Sequence, residues 1–150
     1  MGQSLVKNCM HIVFSTRNRM PFITSVVEQD LHRYLGGICN SLGCNTIQVG
    51  GYTDHVHILC LLSKKIALMQ LVQELKSSSS KWIKTRGSNF QDFYWQTGYG
   101  AFSVRYSDVD VVVRYIENQH IHHSKMTFKD EYRAILTKNQ FEWDERFVWG

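Results

Sequence analysis

The amino-acid sequence predicts an α+β fold of the ferredoxin-like (RRM-like) kind, a four-stranded antiparallel sheet with helices on one face and a further helix toward the C-terminus. Three observations predict it. Apolar periodicity alternates between two and 3.6 residues in the order β-α-β-β-α-β-α. Two strand patterns are joined by a short Gly/Asp turn, as in a hairpin. The chain has 150 residues, 43% of them apolar, enough for one domain spanning 1–150 with a substantial core.

The elements come in this order. Lys7 to Ser15 (K-N-C-M-H-I-V-F-S) is β-rich and bounded by Ser-Thr-Arg-Asn-Arg, which makes it the first strand. Thr24 is the expected N-cap of a helix from about 25 to 42, because Val26, Val27, Leu31, Tyr34, Leu35 and Ile38 recur at helical spacing. Gly43 is a natural stop. Thr46 to Gly50 and His55 to Leu62 read as strands, turned by Gly50, Gly51, Thr53 and Asp54. Leu68, Leu71, Val72, Leu75, Ser79, Trp82 and Ile83 form the stripe of a second helix. Serines 77–80 are poor helix formers, but the stripe runs through them, so the helix is expected to reach about Thr85. Tyr99 to Tyr106 reads as a strand. Ser107 or Asp108 then caps a helix whose apolar face is Val109, Val112, Val113, Ile116 and His120. Phe128 to Leu136 gives a short last helix before an aromatic tail.

Composition excludes several classes. No apolar run approaches the roughly 20 residues of a membrane-spanning helix. The N-terminus has no signal-peptide pattern, and a cytoplasmic location is expected. Cysteines 9, 39, 44 and 60 lack C-x-x-C spacing and are expected to be reduced and buried or near a core. The net charge of +4 favours phosphate backbones weakly.

The chemistry is concentrated in two segments. In Asp54-His55-Val56-His57, strand alternation sends both histidines to one face and Val56 to the other. Two imidazoles spaced i, i+2 can share a divalent cation. In Tyr115-Ile116-Glu117-Asn118-Gln119, helical i, i+4 spacing presents a phenol and an amide from one edge. His55, His57 and the Gln119 oxygen would hold Mg²⁺ or Mn²⁺ with positions open for a phosphate. The Tyr115 phenol, with an ordinary pKa of about 10, would attack phosphorus with help in losing its proton.

The D-H-V-H element followed by Y-x-x-x-Q resembles the single-tyrosine HUH transposases of small insertion sequences and their relatives associated with repeated extragenic palindromes. The resemblance extends over nearly the whole chain. It includes His11 to Arg19 (H-I-V-F-S-T-R-N-R), Trp95 to Val104 (W-Q-T-G-Y-G-A-F-S-V), His122-His123 and Phe128 to Tyr132 (F-K-D-E-Y). It implies that His55 and His57 bind the metal, that Gln119 completes the site, and that Tyr115 is the nucleophile on a catalytic helix. It also implies a homodimer with composite active sites. Such proteins recognise DNA hairpins near element ends and cut single-stranded DNA with Mg²⁺ or Mn²⁺. They hold the 5′ phosphate on tyrosine and rejoin strands with the freed 3′-OH, without a nucleotide cofactor or a membrane.

Other residues compete for roles. No tyrosine among Tyr94, Tyr99 and Tyr106 has a glutamine four residues later. His120, His122 and His123 resemble a metal cluster, but His120 lies on the apolar stripe and is expected to pack, while His122 lies near the tyrosine flank, where it could touch DNA or the site. Arg17, Arg19, Lys76, Lys81 and Lys84 are candidate DNA-backbone contacts, and Phe93, Tyr94 and Trp95 could stack on bases or pack in a core. Two rival readings are a non-catalytic nucleic-acid-binding module and a metal-dependent hydrolase that uses water. The 2H phosphoesterases fit poorly, because Leu59 stands where a hydroxyl should come after His57.

Overall fold

A computed structural model describes residues 2–150. Four strands form one antiparallel sheet, in the order β2-β3-β1-β4: β1 (Cys9–Ser15), β2 (Thr46–Tyr52), β3 (His55–Leu61) and β4 (Gly100–Ser103). Helices α1 (Glu28–Ser41) and α2 (Leu68–Lys84) are the two crossovers, so the ferredoxin-like order is present. Three more helices complete the chain: α3 (Val109–Glu117), α4 (Gln119–His122) and α5 (Phe128–Lys138).

The sheet has two covered faces because its central strands alternate. Met10, Ile12 and Phe14 of β1, with Val56, Ile58 and Cys60 of β3, point into the main core beneath α1 and α2. The opposite face carries Cys9, His11, Val13, His55, His57 and Leu59. There α3 packs on Cys9 and Leu59 through Ile116, and α5 packs on Val13 and Phe102 through Phe128, Tyr132 and Leu136. The helices therefore lie on both faces, with the late ones over the polar stripe of the sheet. All four cysteines are buried and unpaired. Among the described residues no helix is long and apolar enough to cross a membrane.

The serine run in α2 has a packing reason. Ser79 is buried, donates to the Leu75 carbonyl, and accepts from Trp95 Nε1 at 2.9 Å. A larger residue there would displace the indole. Gly43 ends α1 with φ +75°, the left-handed conformation that glycine adopts without strain.

Several expected boundaries move. Thr24 is not an N-cap: its carbonyl accepts from Val27 and Glu28 in a turn, α1 starts at Glu28, and Val26 is exposed. Strand β4 is only four residues long, because Tyr106–Asp108 turns into a short 3₁₀ helix leading to α3. The helix expected to run through His120 breaks at Asn118, whose φ/ψ of −94°/17° leaves the helical region. Asparagine is a poor helix former, and this break resets the phase of α4 relative to α3. His120 is consequently exposed and bonded to Glu28 Oε1 at 2.6 Å, not packed on the apolar stripe.

Candidate active site

The site assembles where β3, the α3–α4 break and α5 meet. His55 and His57 are both fully buried on β3, on the face opposite Val56. Gly50 sits directly across from His57 on β2, and its missing side chain lets α3 lie against the sheet. A Cβ at Gly50 would stand 2.6 Å from the Ile116 carbonyl oxygen. That close approach brings Tyr115 beside His57, their ring centroids 5.6 Å apart. The break at Asn118 then turns Gln119 inward, where it is 1% exposed.

Glu131 of α5 ties these groups together. Its two oxygens face different partners. Oε1 lies 3.3 Å from His55 Nε2, 3.2 Å from His57 Nε2 and 3.0 Å from His123 Nε2. Oε2 accepts from the Tyr115 hydroxyl, and from Gln119 Nε2 at 2.9 Å. Gln119 Oε1 in turn lies 2.8 Å from His55 Nε2. The structure thus brings His55, His57, Tyr115 and Gln119 together, and adds Glu131 and His123.

The imidazoles are held from behind. Asp54 Oδ1 lies 2.7 Å from His55 Nδ1, and His11 Nε2 lies 2.8 Å from His57 Nδ1, with the two rings stacked. An imidazole whose far nitrogen is engaged keeps one ring orientation and presents its other nitrogen to the site.

Electrostatics is set by burial and pairing. Burial disfavours charge on His55, but its hydrogen bonds to Asp54 and Glu131 outweigh that and raise its pKa to about 9. Burial pushes His57 down and holds His11 neutral, near a pKa of about 3. Burial alone would raise the Glu131 carboxyl, but hydrogen bonds from His123, His55 and His57 pull it far below the usual range. Tyr115 is raised, by burial first and then by the Glu131 charge. Its phenol stays protonated and donates its hydrogen bond to the Glu131 carboxylate.

The donor set fits a divalent cation. Ligand atoms of His55, His57 and Glu131 all lie within 4.8 Å of one another. A cleft of about 530 Å³ opens beside them, lined by His11, Phe102, Arg105, Tyr115, Glu131 and Lys138.

The remaining candidates lie elsewhere. Lys76 is committed internally: its ammonium donates to the carbonyls of Gln96, Thr97 and Gly98 at 2.8, 3.0 and 2.7 Å, and burial lowers its pKa to about 8. Arg19 donates to the Trp149 carbonyl at 2.8 Å and to Ser15 Oγ at 3.1 Å. Lys81 is exposed. Arg17 and Lys84 flank the exposed Tyr94 ring, each 4.6 Å from its centroid. Phe93 and Trp95 are core residues. The His122 ring lies 5.2 Å from that of Tyr115.

Residues 4–119 match the family of IS200-like transposases. The chain belongs to that family. No curated protein matches the sequence. Two solved structures share the fold of this IS200-like transposase. One is a Deinococcus radiodurans protein described as a transposase, at 21% identity and TM-score 0.61, covering 79% of this chain and 96% of that one. The other is a REP-associated tyrosine transposase bound to a REP hairpin, at 15% identity and TM-score 0.60, covering 82% of this chain and 73% of that one. Glu131 and His123 lie outside the matched segment.

Two site residues escape a reading of the sequence although a signal exists. Glu131 lies on the buried stripe of α5 with Phe128 and Tyr132, and an acidic residue on an apolar helical face needs a partner. His11 sits mid-strand among Cys9 and Val13 on the face that also carries His57.

Proposed function

We propose that this transposase cleaves and rejoins single-stranded DNA at hairpin-marked ends, through a covalent 5′-phosphotyrosine on Tyr115. The observation that carries the reading is the hydrogen bond from Tyr115 to Glu131, within the cluster that also holds His55, His57 and Gln119.

In this reading His55, His57 and Glu131, with the Gln119 amide oxygen, hold a divalent cation, Mg²⁺ or Mn²⁺. When bound, the cation polarises the scissile phosphate and offsets developing charge. Tyr115 Oη, oriented by its hydrogen bond to Glu131, attacks phosphorus and releases its proton to solvent. The bond from phosphorus to the 3′ oxygen breaks, and that oxygen takes a proton from solvent. The products are a 5′-phosphotyrosine and a free 3′-OH, and joining runs the same steps backward from another 3′-OH.

Binding of the strand is supported by two features. Arg105 and Lys138 in the cleft beside Tyr115 neutralise phosphates. Arg17 and Lys84, both seated over the exposed Tyr94 ring, offer paired phosphate contacts. Arg17 lies just past Ser15, which pairs with His55 across the sheet. The hairpin in the REP-associated relative supports a hairpin ligand here. The homodimer that the family resemblance implies would be reported by sedimentation.

The test is incubation of labelled hairpin-bearing single strands with the protein and Mg²⁺ or Mn²⁺, then denaturing electrophoresis. The wild type forms a covalent adduct. Tyr115→Phe binds the strand but forms none, and excess chelator abolishes cleavage. An adduct that persists in Tyr115→Phe, or cleavage in chelator, refutes the assignment.

A further inference from the structure

Helices α3 and α5 both line the cleft beside Tyr115, each with a single stripe. On the α3 side the stripe is Asp108, Val111, Val112 and Tyr115; on α5 it is Glu131, Ala134, Ile135 and Lys138. Both follow the i, i+3, i+4, i+7 spacing of one helical face. Two such faces ordinarily close on one another. Here the Tyr115–Glu131 hydrogen bond joins them near one end, and a cleft of about 530 Å³ opens beside that bond, with Phe102 and Ser103 of β4 also in its wall. That volume lies within the roughly 300–1,000 Å³ of pockets that take a small ligand.

The lining is apolar with a few polar groups, and those groups suit a nucleotide. Arg105, Lys138 and Asp108 enter no ion pair among the described residues, so both cations are available to phosphate. Asn139 donates from Nδ2 to the Ile135 carbonyl at 2.9 Å, which leaves its Oδ1 to accept. Asp108 and Asn139 thus offer acceptors in a cleft whose cations hold the backbone. An exocyclic base amine is the donor that satisfies them, and thymine has none. Phe102, Val112 and Ile135 give the faces of a base an apolar surface. A second copy of this chain, with a net charge of +4, brings no excess of anions to Arg105 and Lys138.

We propose that this cleft is a nucleobase pocket, which takes one unpaired, amine-bearing base next to the scissile phosphate and reads it through Asp108 and Asn139. The inference rests on the reading of Tyr115 as the nucleophile toward single-stranded DNA.

Methyl-labelled spectra of the full chain, titrated with d(CCCC), d(TTTT) and an abasic tetramer, test it. The tetramer d(CCCC) shifts the methyls of Val111, Val112, Ala134 and Ile135. Relative to it, d(TTTT) binds about fivefold more weakly and the abasic tetramer about tenfold more weakly. Ala134→Trp, at an exposed position, fills the cleft and weakens d(CCCC) by about tenfold. Cleft methyls that stay unmoved overturn the inference, and so does a d(TTTT) or abasic tetramer as tight as d(CCCC). These readings need only the wild type, so they decide even if Ala134→Trp does not fold. Methyls that move with protein concentration and not with nucleotide mark the cleft as an interface between copies, which also overturns it. A covalent DNA adduct formed by a chain whose cleft methyls stay unmoved removes the pocket and leaves the Tyr115 chemistry standing. Shifted methyls without any adduct uphold the pocket and sink the chemistry.

Discussion

Replacing Gly50 by alanine should move helix α3, which carries Tyr115, without altering any residue of the candidate site. The new Cβ would stand 2.6 Å from the Ile116 carbonyl oxygen and 2.7 Å from Ile116 Cγ2. Contacts become ordinary only at 3.4 Å, so the shortfall against the backbone oxygen is 0.8 Å. A side-chain tip could swing aside, but a helix carbonyl moves only with its helix. Helix α3 must therefore lift from β2 and take Tyr115, the adjacent residue, with it. Overpacking of this kind costs about 1–3 kcal/mol, and for a chain of this size lowers the melting temperature by about 2–4 °C per kcal/mol. A shift of roughly 1 Å at a reacting atom costs about a hundredfold in rate. The assay is single-turnover formation of the covalent DNA adduct beside a thermal melt. Gly37→Ala is the control, since a Cβ there meets nothing within 4 Å and alanine favours its helix. A Gly50→Ala protein that melts with the wild type and forms adduct at the wild-type rate would refute the reasoning.

Four other substitutions have definite expected outcomes. Lys76→Met loses three charge-assisted bonds to carbonyls and should destabilise by about 1–3 kcal/mol in urea titration, leaving the salt dependence of DNA binding unchanged. Lys81→Gln should do the opposite, lowering the single-strand salt slope by about 0.7 with little effect on stability. His32 has an unpartnered buried Nε2, and burial lowers its pKa below 6.5 although Glu28 opposes this. The unfolded chain then takes the proton more readily, so its contribution is intact above pH 6.5 and is lost as pH falls toward the folded value. The drop in urea midpoint between neutral and mildly acidic buffer should be smaller in His32→Gln; an equal drop counts against this account. Ile58→Ala empties a fully buried site beneath α1 and α2 and should cost about 2–5 kcal/mol by the same titration.

The sequence makes local geometry legible and leaves distant encounters hidden. The His55/His57 pair is readable because strand alternation depends on two residues of spacing. Tyr115 and Gln119 are readable as neighbours on the same footing. The projection fails one residue later, at His120, because it assumes a continuous helix and Asn118 interrupts it. Glu131 lies 74 residues from His57, and no periodicity links them; only the packing of α5 on Val13 and Phe102 does. The same holds for His123, which reaches the site through the turn that Asn118 creates. Lys76 resembles a phosphate contact because its neighbours in sequence are polar, yet its partners are carbonyls 20 residues on and beyond.

The apolar side chains form three separate clusters, and they differ in size. The sheet, α1 and α2 share the largest, while α3 rests on the one with the fewest buried members, Cys9, Leu59 and Ile116, and is otherwise packed by half-buried side chains. The apolar surface that residues 109–117 cover is mostly half-buried and separate from the main core, which stays shut when they leave. Amide exchange should therefore resolve two openings: a low-energy one confined to α3 and its flanks, and a global one for β1 and β3. The segment bearing Tyr115 would then be a cooperative unit of its own, free to come and go on a scaffold that keeps the histidines in register.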